Sequence, residues 1–153
     1  MPDTVDMREV ARPISVLVRA LVDGVLELAR EWRPDLVVQS QAQHAGLVCA
    51  GALLPACAAI VHHGGAGSTM TALDAGVSQL VLPSGADRYV NADAVRERGV
   101  GLSAEEHELV VPLLNRLLTD AGLRAEAAAV RAELRAMPAP EVVAAELVEW
   151  VRG

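Results

Sequence analysis

The sequence predicts an α/β fold: a small open parallel sheet of about three to four strands with flanking helices. Three observations carry this expectation. Short apolar runs at 35–38, 58–61 and 79–82 alternate with longer segments of helical periodicity. A glycine-rich turn, Gly64-Gly65-Ala66-Gly67, directly follows the second run and opens a helix. The 153 residues are 52% hydrophobic but only 2% aromatic, so the core is built from Val, Leu, Ile and Ala.

In chain order, residues 14–32 place Ile14, Leu17, Leu21, Val25, Leu28 and Trp32 on one helical face. Pro13 suits a first helical turn, and Pro34 ends the segment. Asp35 to Val38 is the first expected strand. Gln41 to Leu53 reads as an Ala- and Gly-rich helix stopped by Pro55. Ala58 to Val61 is the second strand and residues 62–67 the turn. The helix after it runs to about Ala75 and closes at Gly76. Gln79 to Leu82 is the third strand, ended by Pro83. The loop Ser84-Gly85-Ala86 leads into a helix near 88–98, with Gly99 as its C-terminal cap. Ser103 and Glu106 have the spacing of a capping box ahead of the stripe Leu109, Leu113 and Leu117. Further helices are expected over 122–136 and from Glu141 to Val151, separated by Pro138 and Pro140. The last carries Val143, Leu147 and Trp150 on one face.

Composition narrows the partners. Mean hydropathy is +0.31, too apolar for a disordered chain. A net charge of -7 argues against nucleic acid or an anionic membrane as a partner. An anionic ligand therefore has to be held by local donors. Cys49 and Cys57 match no zinc or redox spacing and read as small buried residues in a reducing compartment. The start, Met1 to Asp6, is acidic without an apolar core, so no secretory leader is expected, and no apolar run is long enough to span a bilayer. The expected location is cytoplasmic. Neither a metal nor a cofactor is expected: two adjacent histidines leaving a strand point apart, and no Cys or carboxylate lies near them in sequence.

The glycine-rich turn has a physical use. The first N–H groups of a helix lack partners within it, and the helix dipole is positive there. Gly64, Gly65 and Gly67 permit close approach and positive φ. Ser68 and Thr69 add hydroxyls, and His63 adds an imidazole. Together they make a cradle for a diphosphate. A glycine-rich turn alone is equally compatible with a tight structural turn. The order His62-His63-Gly64-Gly65-Ala66-Gly67-Ser68-Thr69 is far more restrictive, and it is neither Gly-x-Gly-x-x-Gly nor the Lys-containing P-loop.

That order, with Leu53 to Val61 before it, resembles the C-terminal, donor-binding domain of two-domain (GT-B) glycosyltransferases of the family 1 type. The branch it is most similar to is that of the bacterial antibiotic and macrolide glycosyltransferases. Ala75 to Pro83, Gly85-Ala86-Asp87 and the tail Met137 to Val143 follow the same pattern. The resemblance covers about residues 53–152 and implies a Rossmann-like half of the GT-B fold. It also implies that His63, Gly65, Ala66, Gly67, Ser68 and Thr69 hold the nucleotide diphosphate. Members usually carry Asp-Gln after the third strand, both contacting sugar hydroxyls; here the pair is Asp87-Arg88. Asp87 also suits a helix N-cap. Arg88 cannot accept a hydrogen bond, which alters sugar recognition at that position. Thr71 stands where plant-type members have a ribose-binding Glu, which fits the bacterial branch.

Residues 1–51 resemble a different part of the family. Leu28 to Val38 is similar to a helix–strand segment of the acceptor-binding domain, so the chain divides into 1–51 and a donor domain, 52–153, packed as one unit. The two meet around Gly51, where relatives have a long intervening stretch, as after an internal deletion. By this comparison the expected losses are the start of the acceptor domain with its catalytic His, and the opening of the donor domain with the aromatic that stacks on the base. No catalytic residue is assigned. His44 lies in an apolar helical stretch and His107 in a charged, solvated one.

The resemblance thus implies an enzyme class, a nucleotide-sugar-dependent hexosyltransferase of antibiotic biosynthesis. Its members use a UDP- or dTDP-sugar as substrate and a small hydroxylated natural product as acceptor. Two rivals remain for this shortened chain: a catalytically incompetent nucleotide-binding remnant, and an interaction module that forms homo-oligomers or pairs with a full-length partner through exposed apolar surface.

Overall fold

The computed structural model describes residues 35–39 and 53–152, together with Asp23, Gly24, Glu27 and Glu31. The helices expected over 14–32 and 41–53 lie essentially outside the described residues, as do Cys49 and His44. Among the described residues, four strands form one parallel sheet in the order β1 (Leu36–Gln39), β2 (Ala59–His62), β3 (Ser78–Val81), β4 (Gly101–Ser103). The helices are α1 (Ala66–Ala75), α2 (Arg88–Glu97), α3 (Val111–Thr119), α4 (Ala121–Ala136) and α5 (Pro140–Arg152). The α/β class and the open parallel sheet are as expected from the sequence.

Every residue of β2 and β3 is buried, as in a parallel sheet covered on both faces. Alternate side chains serve the two faces. Ile60 points to one face and packs with Leu54, Cys57, Ala72, Ala75 and Val77, under α1. Ala59, Val61 and Leu80 point to the other, against Leu102, Leu117 of α3 and Leu123. A third cluster joins Val81 to Ala92 and Val95 of α2 and to Ala127 and Val130 of α4. Cys57 is a free thiol that donates to the Leu53 carbonyl at 3.3 Å. Burial, reinforced by Asp35, pushes its pKa up and leaves it protonated.

The helix ends follow local chemistry. Gly76 closes α1 at φ 70, and its N–H returns to the Ala72 and Leu73 carbonyls. Gly99, at φ 74, ends α2 in the same manner; its N–H bonds Arg96 O and that of Val100 bonds Val95 O. Asp120 caps α4, its carboxylate accepting from the Gly122 and Leu123 amides.

One expectation is corrected. Ser103 does not cap a helix. It belongs to β4, and the next amide, Ala104 N–H, continues the ladder to Val81 O. Gly101 allows this, because a Cβ there would meet the Gln79 carbonyl and, at 2.8 Å, Val95 Cγ1. Residues Glu106–Glu108 form only a 3-10 turn, and the helix begins at Val111 with Pro112 in its first turn. Leu109 therefore precedes the helix, while Leu117 is fully buried. The last helix, α5, lies where the sequence places it. No residue in it is buried, and Trp150 is 80% exposed. Its apolar stripe faces outward. No described helix is long and apolar enough to cross a membrane.

Candidate functional site

The site lies at the carboxyl ends of β2 and β3, where parallel sheets present their loops. Leu82 N–H bonds the His62 carbonyl at 2.9 Å, so the turn after β2 and the loop after β3 leave the sheet side by side.

His62 and Gln79 are diagonal neighbours on one face of the sheet, and both are buried. The Gly64 N–H donates to His62 Nδ1 at 3.1 Å, and His62 Nε2 lies 2.9 Å from Gln79 Oε1. An amide can only donate, so Nδ1 is the acceptor and Nε2 carries the proton. Burial lowers the His62 pKa to about 4; the bond to Gln79 opposes the shift and His63 adds to it. The ring is neutral near pH 7. Gln79 Nε2 finds no hydrogen-bond partner among the described residues.

Gly64 sits at φ 85, and a Cβ would lie 2.7 Å from Val81 Cγ1 and 3.1 Å from Arg88 O. Only glycine fits both the conformation and the space. Its carbonyl accepts from Asn91 Nδ2 at 2.8 Å. Gly65 is the N-cap of α1 and has no side chain to cap with. The first helical bond runs from Thr69 N–H to Gly65 O at 3.0 Å, so the amides of Ala66 and Gly67 lie ahead of it. Both residues are exposed, and the first turn holds no acidic residue.

Of the other residues singled out from sequence, His63 is half-buried beside the turn. Its Nε2 lies 2.6 Å from where a Gly65 Cβ would stand, and its buried Nδ1 finds no partner among the described residues. Burial and then the nearby Arg88 guanidinium lower its pKa. Ser68 is buried in the first turn. Thr69 is also buried, and its hydroxyl donates to Gly65 O at 3.1 Å, which directs its proton into the helix. The Thr71 hydroxyl likewise donates to Gly67 O.

Asp87 occupies the N-cap position of α2 but makes no side-chain capping bond; its exposed carboxylate lies 3.5 Å from Asn91 Nδ2. Arg88 folds back over the loop, with Nη1 at 2.6 Å from Ser84 O and 3.0 Å from Ser84 Oγ. The loop needs positive φ at Gly85 (78) and Ala86 (54). His107 is exposed in the 3-10 turn beyond β4. Asn91 was not singled out from sequence. A polar residue early in a helix is unremarkable until the fold sets it against a carbonyl 27 residues away.

A parallel α/β sheet with an uncapped, glycine-rich helix start at its carboxyl edge defines a domain of the Rossmann-like class. The chain belongs to the family described as erythromycin biosynthesis protein CIII-like, C-terminal domain, which matches residues 17–150. It is 49% identical over 98 residues to the elloramycin glycosyltransferase ElmGT of Streptomyces olivaceus, covering 62% of this chain and 24% of that protein. Among solved structures it is similar to the glycosyltransferase SnogD from Streptomyces nogalater, with TM-score 0.59 and 48% identity over 66% of this chain and 28% of that one. It is also similar to the glycosyltransferase VinC in complex with dTDP, with TM-score 0.61 and 37% identity over 68% of this chain and 28% of that one. The chain spans about a quarter of the length of the curated relatives it matches.

Proposed function

We propose that this chain binds the diphosphate of a UDP- or dTDP-linked sugar, as the donor half of a glycosyltransferase acting on a small hydroxylated natural product. The observation that carries the reading is the start of α1. The amides of two exposed residues, Ala66 and Gly67, stand ahead of the first helical hydrogen bond at the carboxyl edge of the sheet. Beside them are the half-buried His63 imidazole, whose buried Nδ1 has no partner among the described residues, and the Arg88 guanidinium. These groups suit an anion that the acidic chain as a whole would repel. His63 with Gly65, Ala66, Gly67 and Ser68 would hold the diphosphate, and Thr69 would join them by turning its hydroxyl away from Gly65 O. Asp87 would accept from a sugar hydroxyl, and Arg88, which cannot accept, would meet a sugar oxygen as donor. The relative solved with dTDP favours thymidine as the base.

In glycosyl transfer such a cradle stabilises the departing diphosphate. Deprotonation of the acceptor hydroxyl needs a separate base, and none of the residues carried over from the family's motif supplies it. Isothermal titration with UDP and dTDP, and with His63→Ala as control, tests the reading. Binding that the substitution abolishes supports it; no binding at millimolar nucleotide refutes it.

The outward stripe on α5 favours a second reading, self-association. Val143, Leu147 and Trp150 are 37%, 56% and 80% exposed. Size-exclusion chromatography that returns a monomer at high concentration removes it.

A further inference from the structure

We infer that Asn91 is a positioning residue that links the diphosphate turn to the carboxylate of Asp87, so that the two ends of the site are set together. The inference rests on the donor-site reading above and adds to it a residue outside the motif. Asn91 lies in the first turns of α2 and is half-buried. Its amide nitrogen carries two hydrogens. One reaches the Gly64 carbonyl at 2.8 Å, and the second is aimed at Asp87 Oδ2 at 3.5 Å. The Gly64 peptide groups are therefore held from two sides. His62 Nδ1 takes the N–H, and Asn91 takes the carbonyl. The His62 ring is itself fixed by Gln79 of the neighbouring strand.

This arrangement has a consequence for binding. Gly64 sits in a left-handed conformation and is followed by the uncapped residues Gly65, Ala66 and Gly67. A glycine-rich turn has no side chains to stiffen it, so the direction of the next amides depends on what grips the Gly64 peptides. Asn91 supplies that grip from the helix that also carries Asp87 and Arg88. Its bond leaves Asp87 Oδ1 for a ligand hydroxyl while steadying Oδ2. A shift of Asp87 on sugar contact is then felt at Gly64, and the orientation of Gly64 is felt at Asp87.

The test is a double-mutant cycle on the full chain with Asp87→Ala and Asn91→Ala, read in two ways. Without ligand, Asp87→Ala is expected to move the backbone amide resonances of Gly64 and Gly65 in the parent but not in the N91A background. With ligand, N91A weakens dTDP binding about tenfold, the scale of one lost hydrogen bond. It also reduces the effect of D87A on dTDP-glucose affinity several-fold. Equal, additive effects of D87A in both backgrounds would overturn the link, as would Gly64 and Gly65 amides that ignore Asp87 in the parent. A parent chain that binds neither ligand, yet shows the ligand-free coupling, refutes the donor-site reading and leaves the coupling between Asn91 and Asp87 standing.

Discussion

His62 Nε2 lies 2.9 Å from Gln79 Oε1, a hydrogen bond between neighbouring strands with both side chains shut off from water. Its partners need the neutral ring, since Nδ1 must accept from Gly64 N–H. The unfolded imidazole titrates near 6.5 and the folded one at about 4. Between those values the unfolded chain binds a proton that the folded chain excludes. This contribution to stability is complete above pH 6.5, declines as pH falls, and is gone below about 4. The gap corresponds to about 3 kcal/mol. Urea midpoints should fall across this window, and His62→Asn should flatten that part of the profile. An unchanged slope in the variant would place the titration elsewhere.

Gly64→Ala should be costly for two separate reasons. The residue sits at φ 85, and the added methyl would lie 2.7 Å from Val81 Cγ1. Together these should remove about 2–4 kcal/mol. Gly85→Ala is the control. Its φ is 78, but nothing lies within 4 Å of the new Cβ, so only the backbone cost of about 1 kcal/mol applies. Chemical denaturation of the two variants separates crowding from conformation. Equal losses would contradict the crowding at Val81.

Gly101→Ala should loosen β4 from β3, because the methyl would meet the Gln79 carbonyl and Val95. The Gln79 amide, bonded to Val100 O at 3.3 Å, should then exchange with solvent faster than in the parent. Retained protection would show that the edge strand accommodates a side chain.

Arg88→Gln installs the glutamine that the resemblance leads one to expect after Asp87. The bonds to Ser84 O and Oγ are lost, and a carbonyl able to accept becomes available. The preference for dTDP-glucose over dTDP should rise several-fold, as one new hydrogen bond would give. The His63 pKa should also rise in an NMR titration, since the cation that depresses it is gone. A fixed His63 pKa would mean that Arg88 does not reach the ring.

These residues also mark what the sequence could disclose. β2 and β3 read correctly to within a residue because Ala59-Ile60-Val61 and Leu80-Val81-Leu82 are apolar and are followed closely by Gly64 and Pro83. The glycine turn and the start of α1 were legible for the same local reasons. β4 was not, because Gly101-Leu102-Ser103 is three residues with no apolar run. Its pairing depends on a close approach to Gln79 that only the fold reveals. The spacing of Ser103 and Glu106 imitated a helix start that the chain postpones to Val111. At the site, the motif marks the glycine turn and the start of α1 but not the residues that brace them. Gln79 and Asn91 act on His62 and Gly64 across 17 and 27 residues, and no local pattern encodes that. The Thr69 hydroxyl shows the converse: a side chain that looks free for a ligand in sequence is engaged by Gly65 O.

The central claim is that a nucleoside diphosphate sits on the start of α1. Backbone amide chemical-shift mapping during a dTDP titration tests it most directly. The largest saturable shifts should fall on Gly65, Ala66 and Gly67, with smaller ones at the 84–88 loop, and His63→Ala should remove them. Shifts centred elsewhere on the chain, or none at millimolar dTDP, would contradict it.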